Sequence, residues 1–202
     1  MFAIESIMDE LAKMIDKDPI EYRLEHLNDL RSKKVINDVA ELSGWYQTNP
    51  DIEGFGRGFS FAQYRNKSAY FAVVVEIRVE EEIVVEKVYA SVDVGMVVNP
   101  DGTLNQLEGG IIQAISWTLI EQVIWDDKEN LSNGWESYPI LNFDQIPEIE
   151  INLIEDKSNP SLGVGECAAG PIAAAINNAL SDALDIRMYD LPLTREKIIS
   201  KF

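Results

Sequence analysis

Cysteine and histidine are nearly absent: the 202-residue chain carries one of each, Cys167 and His26. A single thiol excludes an internal disulfide and leaves no Cys/His pair to hold a metal. A lone histidine is more often an ordinary surface or core residue than a ligand or base, and His26 is assigned no role. Basic residues are scarce, 17 against 35 acids, for a formal net charge of −18. Such a balance suits neither nucleic acid nor an anionic membrane, both of which reward basic surfaces. The acids are spread through mixed segments, which points to solubility rather than to a disordered acidic tail. There is no apolar run long enough to cross a bilayer. The opening Met1-Phe2-Ala3-Ile4 lacks a basic region and reads as no signal peptide, so a cytoplasmic location is expected, with the periplasm as the alternative. Internal repeats and low-complexity tracts are missing too.

What is present is an ordinary globular composition, 46% apolar, enough for one good-sized core or parts of two. The expected fold class is α+β: a helical N-terminal segment over 1–48, then an antiparallel meander sheet and longer helices within 57–202. Ile4, Ile7, Met8, Leu11 and Ile15 share one face of a helix over 4–16. Asp18-Pro19 reads as N-cap and first residue of a second helix through about Leu27. Val35, Ile36, Val39 and Leu42 mark a third over 33–43. Residues 48–51 and the cluster Gly54, Gly56 and Gly58 read as a linker. Gly54-Phe55-Gly56-Arg57-Gly58 is not a phosphate-binding loop, because no strand precedes it and no helix follows. Strands are expected over 57–64, 69–79 and 83–94, with Glu80-Glu81-Glu82 as a solvated hairpin tip. In the second, Val73, Val75, Ile77 and Val79 alternate with Val74, Glu76, Arg78 and Glu80, the pattern of one buried face. A helix over 103–122 contains Gly109-Gly110, which costs ~1 kcal/mol per glycine relative to alanine and so suggests a close neighbour. Thr103-x-x-Gln106 fits a capping box at its start. Trp125, Trp135, Tyr138 and Phe143 fall in an irregular stretch and are expected to pack over the core, or else to line a substrate funnel. A strand over 148–155 leads to the most distinctive segment, and a short helix with Thr194 as N-cap closes the chain.

That segment is Ser161-Leu162-Gly163-Val164-Gly165-Glu166-Cys167-Ala168-Ala169-Gly170-Pro171. Glycines on either side of an acid let backbone approach a ligand closely. Pro171 suits the first position of a helix over 171–185 whose Ile172, Ala173, Ile176, Ala179, Leu180 and Ala183 recur at helical spacing. Spacing alone leaves Glu166 with two readings, a helix-capping acid or a catalytic carboxylate.

Gly163-Val164-Gly165-Glu166 followed by Ala-Ala-Gly-Pro resembles the loop that carries the catalytic glutamate in the xanthine dehydrogenase and aldehyde oxidase family. The nearest resemblance within it is to the C-terminal portion of the molybdopterin-binding large (beta) subunit of isoquinoline 1-oxidoreductase. Other stretches agree in the same order: Phe2-Ala3-Ile4-Glu5-Ser6, Asp18-Pro19, Tyr22-Arg23-Leu24, Gly56-Arg57-Gly58 and Asn99-Pro100. Gln106-Leu107-Glu108-Gly109-Gly110, Tyr138-Pro139-Ile140-Leu141 and Asp190-Leu191-Pro192-Leu193-Thr194 follow. The resemblance implies a molybdenum hydroxylase acting on N-heteroaromatic compounds or aldehydes with water as oxygen source. Glu166 would be its general base, and Gln106, Gly163, Val164 and Gly165 would contact the cofactor. That cofactor would be molybdopterin, as the cytosine dinucleotide, with no metal ligand from this chain. A separate small subunit would carry a 2Fe–2S centre, and the remaining N-terminal part of the large subunit would complete the site. The chain departs from the family in lacking a Gly-Gly-Phe-Gly type motif and an iron–sulfur cysteine pattern. A catalytically inactive binding or assembly module derived from the same domain is therefore the alternative reading.

Overall fold

The computed structural model describes residues 1–50 and 52–202. Asp51, the last residue of the expected linker stretch 48–51, lies outside them. Three helices come first: α1 (Phe2–Met14), α2 (Pro19–Glu25) and α3 (Leu30–Leu42). Strands β1 (Phe55–Gln63), β2 (Tyr70–Val79) and β3 (Ile83–Asp93) follow, then α4 (Pro100–Leu119), β4 (Glu148–Ile154), α5 (Ala169–Leu184) and α6 (Arg195–Ile199). The first three strands form the antiparallel meander, and β4 adds to the edge of β3 in parallel, giving the order β1-β2-β3-β4. Opposite the β2 pair Glu76/Ile77 the register slips past Glu86, a bulge towards the turn end of the hairpin.

The sheet is covered on both faces. Phe71, Val73, Val75 and Ile77 of β2 pack with Val88, Ala90 and Val92 of β3 against α4 and α5. On the other face Tyr70, Ala72 and Val74, with Phe59 and Phe61 of β1, meet Ile20 of α2 and Val35, Ile36 and Val39 of α3. The expectation of one buried face for β2 therefore holds only near its end, at Glu76 and Arg78. Val74 is fully buried because the N-terminal helices lie over it.

Gly56 and Gly58 are not linker residues. They lie in β1 where α5 passes closest: a Cβ on Gly58 would stand 2.1 Å from the Ala175 carbonyl oxygen and 2.2 Å from the Ala179 nitrogen. Strand and helix backbones can meet this closely only because these side chains are missing.

Of the expected shared face, Ile4, Ile7 and Leu11 of α1 point outward, as does Ile15 just past its end, with exposures from 39% (Leu11) to 61% (Ile15), while Met8 is half-buried. Its buried face is polar. Glu5 accepts from Arg23 at 2.9 Å and from the Phe61 amide at 3.0 Å, Ser6 meets Asn177 at 3.2 Å, and Asp9 pairs with Arg187. Burial raises the pKa of Glu5 and of Asp9, against the pull of the two arginines. The inward face of this helix thus carries ion pairs and hydrogen bonds that apolar periodicity does not record.

Asp18 caps α2 as expected, accepting from the Ile20 and Glu21 amides at 2.9 and 3.0 Å. At α4 the cap is Asn99, which accepts from the Gly102 amide at 3.0 Å. The helix thus starts three residues early, and the Thr103/Gln106 capping box does not form. Helix α5 begins at Ala169, so Pro171 occupies its third rather than its first position, still within the turn whose amides lack helical acceptors. Thr194 stands at the N-cap of α6 without a side-chain cap bond.

Candidate active site

The loop from β4 to α5 is fastened at its start by Asp156, whose carboxylate accepts from the Ser158 amide (2.9 Å), the Ser158 hydroxyl (2.6 Å) and Asn159 (2.6 Å). These bonds hold its pKa down at about 2. The loop then runs beside the stretch that follows β3. Asp156 donates its amide to Gly95 at 3.1 Å, Met96 to Asn159 at 3.1 Å and Leu162 to Val94 at 2.8 Å. Gly95 is required there: its φ is +66°, and a Cβ would meet the Pro160 oxygen at 2.2 Å. Arg31 grips Asp93 through two bonds of 2.7 and 2.6 Å, and Asp93 accepts from the Gly95 amide at 2.9 Å. Burial works against ionisation of Asp93, but these partners outweigh it and hold the carboxyl below its ordinary value.

The second half of the loop carries the chemistry-bearing residues. Gln106, in the second turn of α4, donates from Nε2 to the Gly165 carbonyl at 2.9 Å. Two residues 59 apart in sequence are thereby brought together. Val164 is half-buried and packs on the core, and its carbonyl accepts from Cys167 Sγ at 3.5 Å. Cys167 is buried, which pushes its thiol up to about 12 and makes it inert as a nucleophile. Gly110 admits Ala168, whose Cβ lies 3.2 Å from the position a Gly110 Cβ would take, whereas Gly109 faces open space.

Glu166 is exposed, and its carboxylate accepts from the Tyr64 hydroxyl. It does not cap α5, whose N-cap is Ala168, and only its backbone carbonyl serves the helix, accepting from the Ala169 amide at 3.2 Å. Tyr64 was not among the expected site residues. Its one sequence signal is its place beside Arg65-Asn66, a turn pair in the β1–β2 connection.

Beside Gln106 a depression of about 420 Å³ is lined by Val97, Asn99, Thr103, Leu162 and Gly163. Among the described residues nothing lies within 4 Å of a Cβ built on Gly163 or Gly165, and neither has a positive φ. Their lack of side chains answers no need of the fold and leaves room for a group from outside. Among the described residues no three His, Cys, Asp or Glu gather as a metal site. His26 is remote from the loop, bonded through Nδ1 to the Tyr22 carbonyl at 2.7 Å. Trp125, Trp135 and Phe143 do not pack over this core; they are 67%, 83% and 94% exposed.

Solved structures share this helix-covered mixed sheet. Over 65% of this chain it superposes on quinoline 2-oxidoreductase from Pseudomonas putida 86 (TM-score 0.58, 32% identity, 18% of that chain). It superposes equally on aldehyde oxidoreductase from Desulfovibrio gigas (TM-score 0.59, 27% identity, 65% of this chain and 15% of that one). The family profile described as molybdopterin cofactor-binding domain matches residues 3–147, and the chain belongs to that family. A nicotinate dehydrogenase component of Pseudomonas putida is 39% identical over 98% of this chain and 18% of its own length. The beta component of isoquinoline 1-oxidoreductase from Brevundimonas diminuta is 36% identical over 95% and 25% respectively. The chain thus spans between 18% and 25% of the length of these two relatives.

Proposed function

We propose that this chain forms the part of a molybdenum hydroxylase that presents the general base, Glu166, to a substrate held at a bound molybdopterin. The observation that supports the reading is the bond from Gln106 to Gly165, which brings the carboxamide to the open glycines at one depression, with the acid next in the chain. Gly163 and Gly165 offer backbone that a bulky cofactor can approach, and the half-buried Val164 between them keeps the loop seated. Gln106 spends one amide hydrogen on Gly165 and keeps its carbonyl oxygen and second hydrogen for a ligand. Molybdopterin, as the cytosine dinucleotide, supplies the two-electron redox chemistry when bound. Hydroxylation of a substrate C–H by water gives C–OH, two electrons and two protons. Glu166 takes one of those protons, and the electrons leave through a 2Fe–2S centre on a small partner subunit. The remainder of a longer large subunit completes the pocket.

Relatives named for nicotinate and isoquinoline are 39% and 36% identical and relatives named for aldehydes 26% to 29%, which favours an aromatic nitrogen heterocycle over an aldehyde as substrate. The test is made on the assembled enzyme containing this chain. Metal analysis is expected to find molybdenum in it and to lose it in Gly165→Val, where a branched side chain fills the open space. Turnover in ¹⁸O-labelled water is expected to place the label in the product. Unlabelled product contradicts the chemistry, and an assembly without molybdenum contradicts the site.

A further inference from the structure

The geometry points to Tyr64 as a positioning residue that aims the Glu166 carboxylate, an inference resting on the reading of Glu166 as general base. The backbone around the acid is already immobilised. Gln106 holds the Gly165 carbonyl at 2.9 Å, Cys167 is buried, and the Glu166 carbonyl accepts from Ala169 at 3.2 Å. What remains free is the side chain, which is exposed and has three torsions to settle. A base must stand within hydrogen-bond reach of the proton it removes, so an untethered glutamate spends most of its time out of place. The Tyr64 hydroxyl donates to Oε2 and leaves Oε1 to receive the proton.

Tyr64 is itself built to hold still. It follows directly on β1, donates its amide to Ala69 at 2.9 Å and accepts on its carbonyl from Ser68 at 2.9 Å and Lys67 at 3.3 Å. It is partly buried against the main core. Arg65 folds back so that its guanidinium carbon lies 5.2 Å from the ring centroid. That fold-back uses two successive left-handed residues, Arg65 and Asn66, at φ 52° and 57°. Arginine rarely adopts that conformation, and the phenol beside this turn reaches a residue 102 positions later.

Tyr64→Phe keeps the ring and the stack and removes only the donor. In the assembled enzyme at matched molybdenum content, with quinoline and nicotinate as probe substrates, kcat is expected to fall about tenfold, the usual weight of a hydrogen bond to a charged group. KM is expected to stay within about twofold, because the bond serves the base and not the substrate. A side chain that merely filled space would leave both unchanged. A second readout needs no turnover. In ¹³C-tyrosine-labelled protein the ring Cζ resonance missing from Tyr64→Phe belongs to Tyr64, and it alone among the seven tyrosines is expected to shift in Glu166→Ala. An unmoved resonance, or a normal kcat in Tyr64→Phe beside a crippled Glu166→Gln, overturns the positioning role while leaving the base in place. A normal kcat in Glu166→Gln overturns the base and this role with it, even where the resonance moves.

Discussion

Cys167 and Glu166 are neighbours with opposite surroundings. The thiol is buried and pushed up to about 12, so at neutral pH it carries almost no thiolate. In the folded protein at about pH 8 iodoacetamide is expected to leave Cys167 unmodified, with labelling appearing only in denaturant. Mass spectrometry reads this directly, and rapid labelling of the native chain would show that the loop opens. The acid beside it is exposed and bonded to a phenol from another hairpin. Of the two readings that spacing allowed, capping forms no side-chain bond at α5. Gln106 was legible as a polar residue on a helix, but its partner was not. The expected partner three residues upstream lost to Asn99, whose side chain starts α4 one turn earlier. Tyr64 was invisible for a plainer reason: its bond to Glu166 depends on how two loops meet, and no local pattern records that.

At the scale of elements, periodicity located the helices and strands to within a few residues, because spacing of apolar residues and caps is a local property. It failed where a partner decides orientation. The apolar positions of α1 do fall on one side, yet the side that faces inward carries Glu5 and Asp9, paired with Arg23 and Arg187, and the isoleucines face out. Likewise glycines in β1 looked like a linker because the α5 backbone that needs them comes over 100 residues later. Gly58→Ala is expected to destabilise by about 3 kcal/mol or more, since the clash is with backbone and cannot be relieved by a rotamer change. Gly165→Ala, with open space around it, is expected to stay within about 0.5 kcal/mol of the parent in denaturant unfolding. Equal costs at the two positions would contradict the division between a structural and a ligand-facing glycine. The loop's anchoring turn adds a pH signature. The Asp156 pKa falls from 3.8 to about 2 on folding, so its charge stabilises the folded state above 3.8, and that stabilisation is lost as pH falls toward about 2. The stability gap between wild type and Asp156→Asn is expected to be largest at neutral pH and to close over that acidic range. A gap that widens in acid has the wrong sign.

For the whole molecule, the sheet lies between two helical layers, and the proposed base and cofactor contacts gather on one loop and the helix beside it. The isoleucines of α1 and Trp125, Trp135 and Phe143 leave large apolar side chains exposed. This chain spans only 18% and 25% of the two relatives' lengths, and the assembly proposed above would give such surface cover. No described helix is long and apolar enough to cross a membrane. Within that assembly the central claim is that Glu166 moves the proton. The most direct measurement is kcat of Glu166→Gln against wild type, in enzyme purified with equal molybdenum content and assayed on the same heteroaromatic substrate. A loss of about 10²–10⁴-fold is expected, the range for a missing general base, with molybdenum retained. Turnover within a few fold of wild type would contradict it.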